Sequence, residues 1–187
     1  MELRSQIIDF GIAAVKKFRR EPAIRSENAI PEMLIGLSIA SSLIEAGCDA
    51  RVEVPLPQIL KEHGLGGSDT TPKFGGQRAD LAIYAEEKAS AVIEMKIVDE
   101  RRPRGGILND WSKLALLRAH FASKQILGPS TYIGALVCDL ANGRKAEETV
   151  RALTDDLGVH CSAVVSGPRE TAVAGGWGWL FMCVQVA

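Results

Sequence analysis

Residues 90–97, SAVIEMKI, read as a β-strand buried on both faces, because apolar side chains occupy most of the positions. Glu94 and Lys96 interrupt that run, two residues apart. Side chains alternate along a strand, so Val92, Glu94 and Lys96 share one face, and Ile93, Met95 and Ile97 the other. A charged pair in such a strand is costly unless it is paired, bound to a metal or put to use. The preceding stretch, RADLAIY at 78–84, reads as a second strand, joined to the first by the polar AEEKA as a hairpin. It also carries an acid, Asp80, between apolar neighbours. Normal hairpin pairing places Asp80 near Glu94. Two carboxylates held close repel one another, and a divalent cation is a common remedy. A lysine beside them is suited to stabilising anionic charge or positioning an attacking water.

The remaining segments supply a frame for that hairpin. RSQIIDFGIAAVKKFRR has apolar residues at helical spacing and a basic end. PAIRSEN is a break. A second helix is expected from Ile30 or Pro31 to Ala46, with Asn28 as its cap and Gly47 as its stop. RVEVPL alternates as a strand does, and GLGGSDTTPKFGGQ reads as loop. RRPRGG breaks the chain again. An amphipathic helix is expected over Leu108–Leu127, ended by Gly128-Pro129. TYIGALVCDL is a buried strand, Lys145–Leu157 a helix, and VHCSAVVS and WGWLFMCVQV further strands. The order α-α-β-β-β-α-β-α-β-β predicts an α/β protein whose mixed sheet is covered by helices on both faces.

Composition narrows the function classes. The chain has 187 residues and 47% hydrophobic content, which suits one domain with a full core. Its formal net charge of −1 is not that of a strongly basic nucleic-acid binder, although local basic patches can serve. Cys48, Cys138, Cys161 and Cys183 are too scattered for a zinc site and read as buried thiols in a reducing compartment. His63, His120 and His160 have no ligand-like spacing. The glycine runs match neither a P-loop nor a dinucleotide fingerprint. The N-terminus lacks a signal-peptide layout, and MLIGLSIASSLI is too short to span a bilayer. The expected location is cytoplasmic, without membrane partners.

The pair RADLAIY and AVIEMKI resembles the active-site hairpin of the PD-(D/E)XK nuclease superfamily, the restriction-endonuclease-like fold. That pattern is an Asp at the start of one strand, then Glu or Asp, any residue, and Lys on the next. Asp80, Glu94 and Lys96 match it, with Met95 as the variable residue and Ala79 where the motif's name has Pro. Many members also carry a Glu on a helix before the first core strand, and Glu32 has the right place in the order. The resemblance implies a mixed sheet in αβββαβ order, which is the order read independently over Pro31–Leu140. It implies a single domain over 1–187, with a helical extension at 1–28, the core at 29–140 and an α-β-β completion at 141–187.

The resemblance also implies roles. Asp80 and Glu94, with the Met95 backbone carbonyl, are expected to ligate Mg²⁺ or Mn²⁺. Lys96 is expected to contact the attacking water or the scissile phosphate. Glu32 is expected to orient Lys96 or help hold a second metal; an ordinary acid in a first helical turn is the alternative. Arg78, Arg101, Arg102, Arg104 and Lys113 are candidate nucleic-acid contacts. For Asp110 and Lys113 an i,i+3 surface ion pair competes with a place facing the site. Trp177 and Trp179 share a strand face and suit either base stacking or the core. The implied activity is metal-dependent hydrolysis of nucleic acid, with DNA the first candidate and a homodimer or a targeting partner supplying affinity. Two alternatives stand beside it. One is a catalytically inactive domain of the same fold that binds nucleic acid or protein. The other is an unrelated α/β protein in which Glu94 and Lys96 lie exposed and far from Asp80.

Overall fold

The computed structural model describes residues 2–20, 30–66, 71–99, 101–102, 105–140, 142–158, 164–171 and 178–186. Asn28, Arg104, His160, Cys161 and Trp177, all singled out in the sequence, lie outside these residues. The elements are α1 (Leu3–Phe18), α2 (Glu32–Glu45), β1 (Asp49–Pro55), α3 (Leu56–Glu62), α4 (Thr71–Phe74), β2 (Arg78–Ala85), β3 (Lys88–Val98), α5 (Gly105–Ser123), β4 (Ser130–Cys138), α6 (Ala146–Leu157), β5 (Val164–Ser166), β6 (Glu170–Thr171) and β7 (Gly178–Val186).

The strands form one mixed sheet in the order β1-β2-β3-β4-β7-β5, and β6 also pairs with β7. The β1/β2 and β2/β3 pairs are antiparallel, β3/β4 is parallel, and β4/β7 is antiparallel. The parallel step needs a crossover, and α5 supplies it. Both faces of the sheet are buried, which is why the central strands read as nearly continuous apolar runs. In β4, Ile133, Ala135 and Val137 face one core, with Leu60 of α3, Leu114 and Leu117 of α5 and Leu153 of α6. Tyr132, Leu136 and Cys138 face the other, with Ile7 and Val15 of α1 and Ile35, Ile39 and Leu43 of α2. Met95 belongs to the second core, so Glu94 and Lys96 point toward the layer that holds α5.

Local chemistry sets most boundaries. Glu86 and Glu87 both adopt positive φ, 50° and 66°, and close the β2–β3 hairpin where Ala85 pairs with Lys88. That is the two-residue turn whose twist matches a hairpin. Gly47, at φ 90°, ends α2, and the Cys48 N–H returns to the Leu43 carbonyl at 2.9 Å.

Several boundaries differ from the sequence reading. Pro31 is the N-cap of α2 rather than a residue of its first turn. Helix α3 was not anticipated; Pro57 opens it and Leu56, Ile59 and Leu60 bury one face. Thr71–Phe74 forms a single helical turn inside the expected loop. Helix α5 starts at Gly105 and ends at Ser123 instead of running to Leu127. Gln125 takes the left-handed position there, at φ 56°, and the Ile126 N–H bonds back to the Phe121 carbonyl at 3.2 Å. A glycine usually fills that position, so the stop carries no compositional signal.

Helix α1 approaches β7 closely. A Cβ at Gly11 would sit 2.6 Å from the ring of the fully buried Phe181. Helix propensity alone predicts that Gly11→Ala stabilises by about 1 kcal/mol. The overlap predicts the reverse, a net loss of about 1–2 kcal/mol once overpacking is set against propensity. Urea unfolding of the two proteins decides between them.

Candidate functional site

The site forms where β2 leaves β3. Their pairing runs from Ala85↔Lys88 to Leu81↔Ile93 and stops there. Beyond that point β2 stays with β1, through Val54↔Ala79 and Pro55↔Arg78. The N–H groups of Met95 and Ile97 therefore lose their ladder partners, and unpaired buried N–H groups are costly. Two carboxylates take the vacated places. The Met95 N–H donates to Asp80 Oδ2 at 2.6 Å, and the Ile97 N–H donates to Glu32 Oε1 at 3.1 Å. Asp80 arrives from the diverging strand. Glu32 arrives as the first residue of α2.

Helix α5 covers the other side. Asp110 and Lys113 are one turn apart and both turn toward β3. Lys113 Nζ lies 2.6 Å from Glu94 Oε2, donates to the Arg78 carbonyl at 3.1 Å, and stands 3.8 Å from Asp110 Oδ1. Lys96 Nζ lies 3.1 Å from Asp110 Oδ2 and 3.5 Å from Glu32 Oε2. Gly106, at the start of the same helix, lies beside this lysine; an added Cβ would make ordinary contact with Lys96 Cδ at 3.7 Å. Four carboxylates, from Glu32, Asp80, Glu94 and Asp110, thus share two ammonium groups.

Burial of excess negative charge perturbs the acids. Glu94 is only 2% exposed. Its desolvation, helped by the Asp80 charge, pushes its pKa up to about 8 despite the opposing pull of Lys113. Asp80 is also raised, first by burial, although the Met95 N–H and both lysines favour its charged form. Burial pulls Lys96 down, but Asp110, Glu32 and Asp80 together outweigh it, and the net shift is upward.

One buried oxygen of the cluster has neither a hydrogen bond nor an ion pair. Glu94 Oε1 is buried without a hydrogen bond, and such an oxygen is expensive to leave unmatched. Among the described residues no group of three or more His, Cys, Asp or Glu side chains is arranged to hold a metal ion. The donor set that remains is two carboxylates, Asp80 and Glu94, beside the Met95 backbone. That set fits Mg²⁺ or Mn²⁺, because such ions take oxygen ligands and Mg²⁺ commonly binds through one or two carboxylates while keeping waters. The unmatched oxygen and the surplus of carboxylates point the same way.

The structure brings Asp80, Glu94, Lys96 and Glu32 together, and it redistributes the other residues. Lys113 is tied to Glu94 inside the cluster rather than offered to a nucleic acid, and its contact with Asp110 is the longer one. Asp110 is the chief partner of Lys96, a role that i,i+3 spacing on an amphipathic helix hinted at but did not assign. Arg102 is held by the buried Asp99, with Nη2 to Oδ2 at 2.5 Å, so its charge is already matched. Arg101 is exposed. Arg78 is exposed and donates to the Glu53 carbonyl at 2.8 Å. Trp179 is 1% exposed and belongs to the core, so it is not a stacking platform.

No family model, no curated protein and no solved structure matches this chain. Among the described residues no helix is long and apolar enough to cross a membrane.

The Glu94 environment makes a pH prediction. Its folded pKa, about 8, exceeds its ordinary value of 4.5. The native state therefore binds the extra proton between those values, and stability falls as pH rises through that window. Glu94→Gln removes the titration. Between about pH 5 and pH 8 the variant should gain on wild type by an amount on the order of a few kcal/mol. Saturating Mg²⁺ at pH 8 should stabilise wild type but not the variant. Denaturant unfolding across pH checks this, and parallel curves for the two proteins would contradict it.

Proposed function

We propose that this protein is a metal-dependent nuclease of the PD-(D/E)XK type, hydrolysing phosphodiester bonds of nucleic acid, with DNA its first candidate substrate. The observation that carries the reading is the cluster at the parting of β2 and β3. It joins Asp80, Glu94 and Lys96, with one carboxylate oxygen left unmatched. The αβββαβ sequence of α2, β1, β2, β3, α5 and β4, with only the short α3 and α4 inserted, supports a restriction-endonuclease-like core. So does the antiparallel-antiparallel-parallel pairing of β1 to β4.

Asp80 and Glu94 would hold the Mg²⁺ or Mn²⁺, with the Met95 carbonyl as a further donor. The chemistry a bound ion supplies is charge neutralisation at the phosphate and a more acidic water. The chain's own residues do the rest. Asp80 is held in place by the Met95 N–H through one oxygen, so it would need little reorganisation to serve as a ligand. Lys96 is kept cationic by Asp110 and Glu32, which suits it to orient a water or to stabilise charge on a phosphate oxygen. Glu32 is a positioning residue: it grips both the Ile97 N–H and Lys96. Lys113 holds one oxygen of Glu94 and leaves the other free.

A second reading, a non-catalytic domain of the same fold that binds nucleic acid or protein, is favoured by one feature. Lys113, at 2.6 Å, already partners Glu94. Cleavage assays separate the two. With Mg²⁺ or Mn²⁺ the wild type should cut a mixture of DNA and RNA substrates. Asp80→Ala and Lys96→Ala should each lower the rate by about 10²-fold or more. No cutting by wild type favours the binding domain, and cutting that survives both substitutions contradicts the site.

A further inference from the structure

A cleft of ≈ 320 Å³ opens beside the cluster, on the α2 side of the sheet. Asp80, Glu32 and Met95 are among its lining residues, so it is continuous with the site. We infer that this cleft receives an unstacked nucleobase next to the scissile phosphate, and that the substrate is therefore single-stranded or frayed nucleic acid rather than an intact duplex. The inference rests on the nuclease reading.

Three features argue for a base. The first is the mouth. Met33, Leu37 and Val52 line the cleft and are 62%, 39% and 37% exposed, among the few large apolar side chains that the described residues leave in water. Apolar surface kept at a cleft beside a polar site is what a planar, uncharged ring covers favourably. The second is charge. The described lining includes Glu32, Glu53 and Asp80 but no lysine or arginine. A phosphate would be repelled there, whereas the exocyclic amino groups of adenine, cytosine and guanine donate to carboxylates. The third is size. The volume lies at the low end of the range for small-molecule sites, about 300–1,000 Å³.

The backbone also keeps the cleft open. Glu53 lies opposite Asp80, between the pairs Val52↔Leu81 and Val54↔Ala79, yet it adopts φ 52°. Arg78 fixes that left-handed residue through its carbonyl at 2.8 Å. A left-handed non-glycine residue within a strand is uncommon and held against its preference. Across the cleft Gly36 contributes no side chain. A base stacked in a duplex cannot enter such a recess, and extruding it costs a few kcal/mol, which an already unpaired strand avoids.

The test compares a synthetic single strand, its blunt duplex, and single strands carrying one abasic nucleotide at each position around the cut. All are assayed with Mn²⁺ and with wild type, Met33→Ala and Val52→Lys. Both substituted side chains are partly exposed and stand outside the catalytic cluster. Wild type should prefer the single strand over the duplex by about tenfold or more. One abasic position beside the cut should lower kcat/KM by about tenfold. Val52→Lys and Met33→Ala should lower cleavage of the intact strand while leaving that abasic strand unchanged. Equal cutting of intact and abasic strands at every position overturns the inference and leaves the nuclease reading standing, as does preference for the intact duplex. Sedimentation that shows a dimer dissociated by Met33→Ala assigns the face to a second copy and also overturns it. No cutting of any substrate by wild type overturns both readings.

Discussion

A carboxylate buried in the middle of the central strand governs the rest of this site. Glu94 sits where both neighbouring layers exclude water, and its charge has to be met by protein or suppressed by a proton. Lys113 meets part of it. The remainder appears as a raised affinity for protons and as an oxygen with no partner. A buried ion pair of this kind is weak ground for stability, because desolvation can exceed the attraction. Its retention in a strand otherwise built for packing is better explained by use than by folding.

Strand divergence makes the use feasible. Were β2 to pair with β3 along its whole length, Met95 and Ile97 would find backbone carbonyls, and Asp80 would have no reason to bend toward β3. Because β2 follows β1 instead, two β3 amides are left for side chains to satisfy. Asp80 and Glu32 do so, and Glu32 holds Lys96 with its second oxygen. The same divergence opens the cleft between α2 and the sheet. One departure in pairing therefore positions two acids beside the adjoining recess. Helix α5, needed anyway to carry the chain from β3 to a parallel β4, brings Asp110 and Lys113 over the opposite face.

Much of this was legible in the sequence, and the omissions have physical causes. The hairpin, the faces of β3 and the proximity of Asp80 to Glu94 follow from the period of a strand and one turn. The mixed sheet follows from the alternation of elements in the second half. Glu32 could be placed only by resemblance, since its bond to the Ile97 N–H spans 65 residues and exists only because β2 withdraws. The Lys113–Glu94 and Lys96–Asp110 pairs were not readable either. Spacing shows which residues share a helical face, but the strength of each ion pair depends on the layer that face meets. Helix α3 is different: Leu56, Ile59 and Leu60 carry a short helical period after a proline, and a strand ending in Pro55 concealed it. Left-handed Glu53 and Gln125 leave no trace, because glutamate and glutamine are not the residues such positions favour.

The proposed chemistry requires a divalent-cation site at the Asp80–Glu94 pair. The most direct measurement is titration of metal-free protein with Mn²⁺ at pH 8, following loss of the free-ion EPR signal, for wild type and Asp80→Asn. The expected result is a saturable site in wild type that the substitution weakens by at least about tenfold. Superimposable titrations, or no saturable binding by wild type, would contradict it.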